Sequence, residues 1–497
     1  MESVADSVKI AGSAYISKEG LYLYPNEELT GEDVLTFINY NRSITTYGEN
    51  YRYYTGEHSI LKKKFDPNSF RPDNRVISNW ANYVVDTYIG YFMGTPVKIQ
   101  LEDDSKNKLL QDWLKANTFT DKLSEVAKQV SIYGSSYMLA YQDEDSNTCV
   151  AVVPPDEGFI VYDTSIKRKP IAFVRYAYFN SELVGEVYTD SKTYSIGRDG
   201  ALEETGDIVP FTEVPAVEFY ANEERLSLVG KIRTLVDTYD NAISQKANEL
   251  EYFDQSFLLM LGINLPKDPK TGKPILDFNG GKRVFNDPSP EAANAKFEFL
   301  SKPDSDNMQE NMLNRLVNDI FQTAMVANLN DEAFSGNSSG VAIRYKLLSM
   351  QNQAALEERK FTIALTNFLS NIASLGKVIG STTADEVKAG LSFTFKRNIP
   401  VNDADEANTA KTLEGVVSKE TQLKVLSIVD DPKAEIEKID TEKENLIKQS
   451  LQNSINATDM FKGGVTDAEP EERSVLENQR TSRKEVDSSK SEERQEV

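Results

Sequence analysis

Apolar positions change their period several times along the chain, and each change marks a change of element. From Leu29 to Tyr54, Val34, Phe37, Ile38, Asn41 and Ile44 recur at helical spacing, and the Tyr-rich continuation closes at Gly56, which predicts a helix. A second helix is expected from about Asn74 to Phe92, stopping at Gly94-Thr95-Pro96, and a third near Ser105 to Tyr133. The period then becomes two. Ile171, Phe173, Arg175, Ala177 and Phe179 alternate with Ala172, Val174, Tyr176 and Tyr178, and similar runs at 148–153, 158–163, 183–189, 192–197 and 214–220 predict an antiparallel sheet. Asp199-Gly200 falls where a hairpin turn belongs.

From Val229 the pattern becomes a heptad: Val229, Val236, Ile243, Leu250 and Phe257 recur every seven residues, with Ile232, Tyr239, Lys246, Phe253 and Met260 as a companion seam. No Pro or Gly interrupts residues 231–261, so a helix on the order of 45 Å is expected. Such a helix needs another long helix or another subunit along its apolar face. A Pro/Gly-rich stretch with short β-prone pieces, Lys282 to Phe285 and Lys296 to Leu300, predicts a small protruding α/β module. Helical spacing resumes near Asp304 and stops in the polar run NLNDEAFSGNSSG. A long helix opens at a Ser338/Ser339 cap and runs to Gly376, a short strand covers Leu391 to Phe395, and 401–462 read as acidic helices. Residues 464–497 carry sixteen charges against six apolar side chains and no aromatics, the composition of a disordered tail.

Composition narrows the function. The 55 Lys+Arg against 78 Asp+Glu give a net charge of −23, which argues against tight wrapping of nucleic acid but not against loose, sliding contact with it. One cysteine, Cys149, excludes an intrachain disulfide and a cysteine zinc cage. One histidine, His58, leaves little room for a hydrolase triad. The longest strongly apolar run, Phe257 to Ile263, is far short of a membrane span, and the N-terminus lacks the apolar core of a signal peptide.

Candidate chemistry is sparse. Gly280-Gly281-Lys282 lacks the upstream glycine and following Ser/Thr of a phosphate-binding loop. Asp143, Asp145 and Asn147 imitate the start of a calcium loop, but Thr148 and Pro154 stand where glycine and a bidentate Glu are needed, so a solvated turn is expected. Asp403, Asp405 and Glu406 suit either a nuclease metal site or, more simply, the first turn of a helix. His58 and Cys149 are expected to be structural, and no metal or cofactor is expected.

Five stretches carry a resemblance: YGENYRYYTGEHSI (47–60), PDNRVISNWANYVVDTYIGYFMGTPVKI (72–99), VDTYDNAISQKANELEYFDQSFLLMLG (236–262), FSGNSSGVAIRYKL (334–347) and GVVSKETQLKVLSIVDDPKAEIEKIDTEKE (415–444). In this order the chain resembles the portal (head–tail connector) proteins of tailed bacteriophages, of the type found in long-tailed phages of Gram-positive bacteria. The resemblance implies an α+β, mainly helical portal fold with a small antiparallel sheet in the wing. It divides the chain into wing (1–223), stem helix (224–262), clip (263–303), second stem helix (304–327), tunnel loop (328–340), the rest of the wing (341–400), crown (401–463) and a disordered acidic tail (464–497).

By that resemblance the protein is not an enzyme. It forms a dodecameric ring at one capsid vertex, passes double-stranded DNA without sequence specificity during packaging and ejection, and docks the terminase large subunit, the head-completion adaptor and the major capsid and scaffolding proteins. It resides in the virion, touches no membrane and is made in the host cytoplasm. Val229, Ile232, Val236, Tyr239, Ile243, Leu250 and Phe253 would pack the stem between subunits. Lys267, Lys270, Lys273, Lys282 and Arg283 would form clip contacts, and Asn330, Asp331, Glu332, Phe334, Ser335 and Asn337 the tunnel loop. A channel poor in bases suits DNA that must move both ways, since each lasting phosphate contact would hold it in place. The competing readings are a metal-dependent nuclease and a coiled-coil scaffold without a channel.

Overall fold

The computed structural model describes residues 7–26, 28–64, 72–205, 211–254, 258–261, 269–272, 296–299, 306–330, 340–373, 375–380, 382–399, 403–426, 428–429 and 432–463. It divides into two compact units, Met1–Ile399 and Pro400–Val497.

In the first unit, strands β1 (Val8–Ala11), β2 (Ala14–Ile16) and β3 (Tyr22–Leu23) precede helices α1 (Gly31–Ser43) and α2 (Thr45–Thr55). The single helix expected over this stretch is thus two, parted at Ile44, whose extended backbone ends one and starts the other. Thr30 caps α1 by accepting the Asp33 N–H, and Val34, Phe37 and Ile38 face inward with Asn41. Asn41 is buried yet satisfied: its amide donates to Pro155 O at 2.8 Å and to the Tyr176 hydroxyl at 2.9 Å.

Helix α3 (Trp80–Phe92) begins six residues later than expected, at an Asn79 cap, because residues 74–78 spend their backbone groups elsewhere. After β4 (Lys98–Leu101), the third expected helix is again two, α4 (Asp104–Ala116) and α5 (Phe119–Tyr133), broken at Thr118 with φ +47°.

Strands β5 (Ser135–Gln142), β6 (Thr148–Val153), β7 (Gly158–Tyr162), β8 (Pro170–Phe179), β9 (Glu182–Tyr188), β10 (Thr193–Ile196), β11 (Leu202–Glu204) and β12 (Ala216–Tyr220) follow. They do not make one sheet. An eight-stranded sheet runs β1-β2-β3-β7-β8-β9-β10-β11, with β3 parallel to β7, and a separate three-stranded sheet runs β12-β5-β6. The sheet is therefore larger than the small wing sheet expected, and it recruits the N-terminal strands. Helix α1 packs its apolar face on the larger sheet through Phe37, which meets Tyr22 and Phe159.

Helix α6 (Leu228–Asp254) ends before the expected seam does, since Leu258–Leu261 form strand β13, paired antiparallel with β14 (Lys296–Phe299). Met260 thus belongs to a ribbon, opposite Phe297. Helix α7 (Asp306–Ala324) returns along α6; α8 (Gly340–Lys346) and α9 (Leu348–Ala373) replace one expected long helix, and α10 (Ala384–Gly390) leads into β15 (Leu391–Thr394), which pairs with β4. The main core gathers α3, α5, α6, α7 and α9 around β5 and β12, with Val84, Tyr88, Val229, Val236, Ile320, Phe361 and Leu365 fully enclosed.

The second unit contains α11 (Asp403–Thr412), α12 (Lys419–Leu423) and α13 (Pro432–Gly463). Ser418 caps α12 by accepting the Thr421 N–H. The expected disordered tail, 464–497, and the β-prone piece Lys282 to Phe285 lie outside the described residues.

Candidate functional site

The α6–α7 pair concentrates most of the expected site residues that are described. Along α6, Val229, Ile232 and Val236 are completely enclosed, Tyr239 is buried and Ile243 half-buried, all within this one chain. This half of the seam is covered within the chain itself. The reason is that α3, α5 and α7 already lie along it. Leu250 differs: it is 64% exposed, as are Met308 (71%) and Met312 (50%) on α7. The side chain of Phe253 is outside the described residues.

Polar side chains clamp the same hairpin. Lys246 of α6 pairs with Glu310 of α7, and Gln309 donates to Glu249 at 2.9 Å. At its base, Trp80 of α3 meets Tyr239 and Phe321 edge-on, with ring centres 5.7 Å apart in both cases, and Tyr83 meets Phe321 the same way at 5.8 Å. One aromatic knot thus joins α3, α6 and α7.

A strap that periodicity did not reveal runs down the polar side of α6. Asp240 Oδ1 accepts the Ser78 N–H at 3.0 Å, Ser244 Oγ accepts the Val76 N–H at 2.9 Å, and Asn248 Oδ1 accepts the Asn74 N–H. Two residues of extended chain advance about 6.6 Å and four residues of helix about 6 Å, so alternate strap residues keep step with every fourth helix residue. The signal in the sequence is Asp240, Ser244 and Asn248 at four-residue spacing, a polar stripe beside the apolar seam.

His58 locks the same helix. Its Nδ1 lies 2.5 Å from Asp240 Oδ2 and its Nε2 3.2 Å from the Tyr53 carbonyl oxygen, with both side chains of the ion pair fully buried. A carbonyl only accepts, so Nε2 carries a proton, and the Asp240 carboxyl beside Nδ1 favours a second proton there, the imidazolium form. Burial opposes that charge, but the Asp240 hydrogen bond and charge outweigh it and raise the His58 pKa.

The junction from sheet to α6 is held by Arg225, whose Nε and Nη2 donate to the two Glu218 oxygens at 2.6 and 2.7 Å, while Nη1 donates to Glu19 O at 3.3 Å. Gly134 permits the close passage here: a Cβ on it would stand 1.9 Å from the Arg225 carbonyl oxygen, and its φ is +99°.

Of the expected clip residues, Lys270 is exposed in the short piece 269–272; Lys267, Lys273, Lys282 and Arg283 lie outside the described residues. Of the expected tunnel loop, Asn330 is exposed and its N–H donates to Asn328 Oδ1 at 3.2 Å, whereas Asp331, Glu332, Phe334, Ser335 and Asn337 lie outside them. Asp143 folds as a turn, accepting the N–H groups of Asp145 and Asn147 at 3.0 and 2.7 Å. Asp403 opens α11, which also contains Asp405 and Glu406. Among the described residues, no group of three His, Cys, Asp or Glu is arranged to hold a metal ion, and no helix is long and apolar enough to cross a membrane.

The profile of the family described as phage portal protein, SPP1 Gp6-like, matches residues 37–449. The portal protein of Bacillus phage SPP1 is 24% identical over 427 residues, covering 79% of this chain and 82% of that protein. The portal protein of Clostridium phage phiCD119 is 24% identical over 435 residues, covering 81% of this chain and 94% of that protein. Among solved structures, a chain in the neck of an empty GTA particle aligns with a TM-score of 0.43 and 10% identity, over 77% of this chain and 94% of that one.

Proposed function

The chain belongs to the SPP1 Gp6-like family of phage portal proteins, and from that premise we propose that it forms the ring-shaped channel at one capsid vertex through which viral DNA is packaged and ejected. The family is structural rather than enzymatic, and its members are oligomeric rings and virion components. In this reading twelve copies close the ring, and double-stranded DNA passes through it without sequence-specific contacts. The terminase large subunit and later the head-completion adaptor dock on the clip at 263–303, including Lys267, Lys270, Lys273, Lys282 and Arg283. The major capsid and scaffolding proteins contact the ring during assembly, after synthesis in the host cytoplasm.

The observation that carries the reading is the family match across 37–449, which takes in α6, α7 and the whole segment between them. The exposed apolar side chains Leu250, Met308 and Met312 support it further, because an isolated chain leaves them in water and a ring neighbour would cover them. The stem would then be 224–262 with 304–327, the tunnel loop 328–340 with Asn330 to Asn337 toward the DNA, the wing 1–223 with 341–400, and the crown 401–463.

Negative-stain electron microscopy of the purified protein tests this. Closed rings with a central opening and a definable rotational symmetry are the expected outcome. Monodisperse monomers at every concentration would overturn it.

A further inference from the structure

Glu357 lies on the inward face of α9 and is 3% exposed. The Tyr88 hydroxyl of α3 donates to its Oε2 at 2.7 Å, while its Oε1 has no hydrogen-bond partner. Gln353, one helical turn earlier, reaches the same Tyr88 hydroxyl and also has a buried, unpartnered oxygen, Oε1. One network therefore contains two acceptors that lack a donor. An ionised Glu357 supplies no donor; a protonated one brings an O–H to a network that is short of donors.

The charged groups facing Glu357 are Lys231 from α6 and Arg397, which follows β15. Among the described residues neither forms an ion pair with it. Arg397 is engaged by Glu358, lies over the Phe92 ring at 5.1 Å, and keeps its Nη1 buried without a partner. Burial lowers the pKa of Lys231, which the Glu357 charge only partly opposes.

We propose that Glu357 is a proton-operated latch between α9 and the α3–α6 pair. Protonated, its carboxyl completes the Gln353–Tyr88–Glu357 network as a neutral part of the core. Ionised, it is a buried carboxylate that, among the described residues, the Tyr88 hydroxyl alone holds, and it draws Lys231 and Arg397 inward and loosens the seating of α9. Burial pushes the pKa of Glu357 up to about 7, with Tyr88, Lys231 and Arg397 opposing that rise in part. The native state keeps this proton where the unfolded chain, near the ordinary value of 4.5, has released it. Stability from this group is thus complete below about pH 4.5 and is lost as pH rises through about 7. The inference stands on this network and does not depend on the portal reading.

The test compares full-length wild type with Glu357→Gln by urea unfolding from about pH 5 to about pH 8, alongside infrared spectra in the carbonyl region of protonated carboxylic acids. Expected is a gap between the two unfolding midpoints that grows with pH in favour of the variant. A protonated-acid band present in wild type at about pH 6 should fade through about pH 7 and be missing from the variant. Parallel midpoint profiles across the window would overturn the latch. Should Glu357→Gln fail to fold, the wild-type spectrum decides alone: a band titrating near pH 7 upholds the latch, and its absence at about pH 6 overturns it.

Discussion

The Ser244 hydroxyl satisfies both backbone groups of Val76, accepting its N–H at 2.9 Å and donating to its carbonyl oxygen at 3.1 Å. A side chain of α6 thereby stands in for a β-strand partner, and residues 74–78 stay outside α3. Ser244→Ala removes both bonds and is expected to cost about 1–2 kcal/mol, with hydrogen exchange accelerating at residues 74–78 before it does in α3. Equal acceleration in both segments would show that the strap is not held through Ser244.

His58→Ala leaves Asp240 buried with only the Ser78 N–H, so a loss of about 3 kcal/mol or more is expected in denaturant unfolding. The pH dependence has a definite sign. The folded pKa of His58 is raised, so its contribution is fully present below the unfolded value of 6.5 and disappears as pH rises through the folded pKa. The stability gap between wild type and His58→Ala should therefore narrow on going to alkaline pH, and a gap that widens would refute the imidazolium assignment.

Two positions on the α6 seam should behave differently. Val236 is fully enclosed by its own chain, so Val236→Asp should destabilise the folded chain itself, by roughly 3 kcal/mol or more, before any question of assembly arises. Leu250→Glu sits in water and should shift the unfolding midpoint by no more than about 0.5 kcal/mol, while lowering the fraction of rings seen by mass photometry. Rings forming undiminished with Glu at 250 would remove Leu250 from the subunit interface.

Deleting Asp331 to Gly336 should leave ring assembly intact and reduce the DNA packaged per particle. An unchanged yield of packaged DNA from such rings would end the tunnel-loop assignment for this segment.

Element types were legible where one face is buried and the other wet. The alternation through Ile171–Phe179 predicts β8, and helical spacing finds α1 and α7, because exposure imposes a period on such segments. Strand β5 was not legible: Ser135–Ala140 are buried on both faces, so no alternation exists to be read. The breaks at Ile44, Thr118 and Leu347 were also missed, since none of these residues is a Pro or Gly. At the candidate site the apolar seam of α6 was visible, but what covers it was not, and the heptad spacing overran the helix end at Asp254.

Spacing, composition and the five family-like stretches were enough to establish the mixed α and β character and the portal family, because these depend on patterns local in the chain. Pairings across long separations were decided only by the fold: His58 with Asp240, Val76 with Ser244, Tyr88 with Glu357, and β3 beside β7. A buried histidine or glutamate looks like any other in sequence. Its charge state is set by desolvation and by the groups that packing brings to it, and those exist only once the chain has closed on itself.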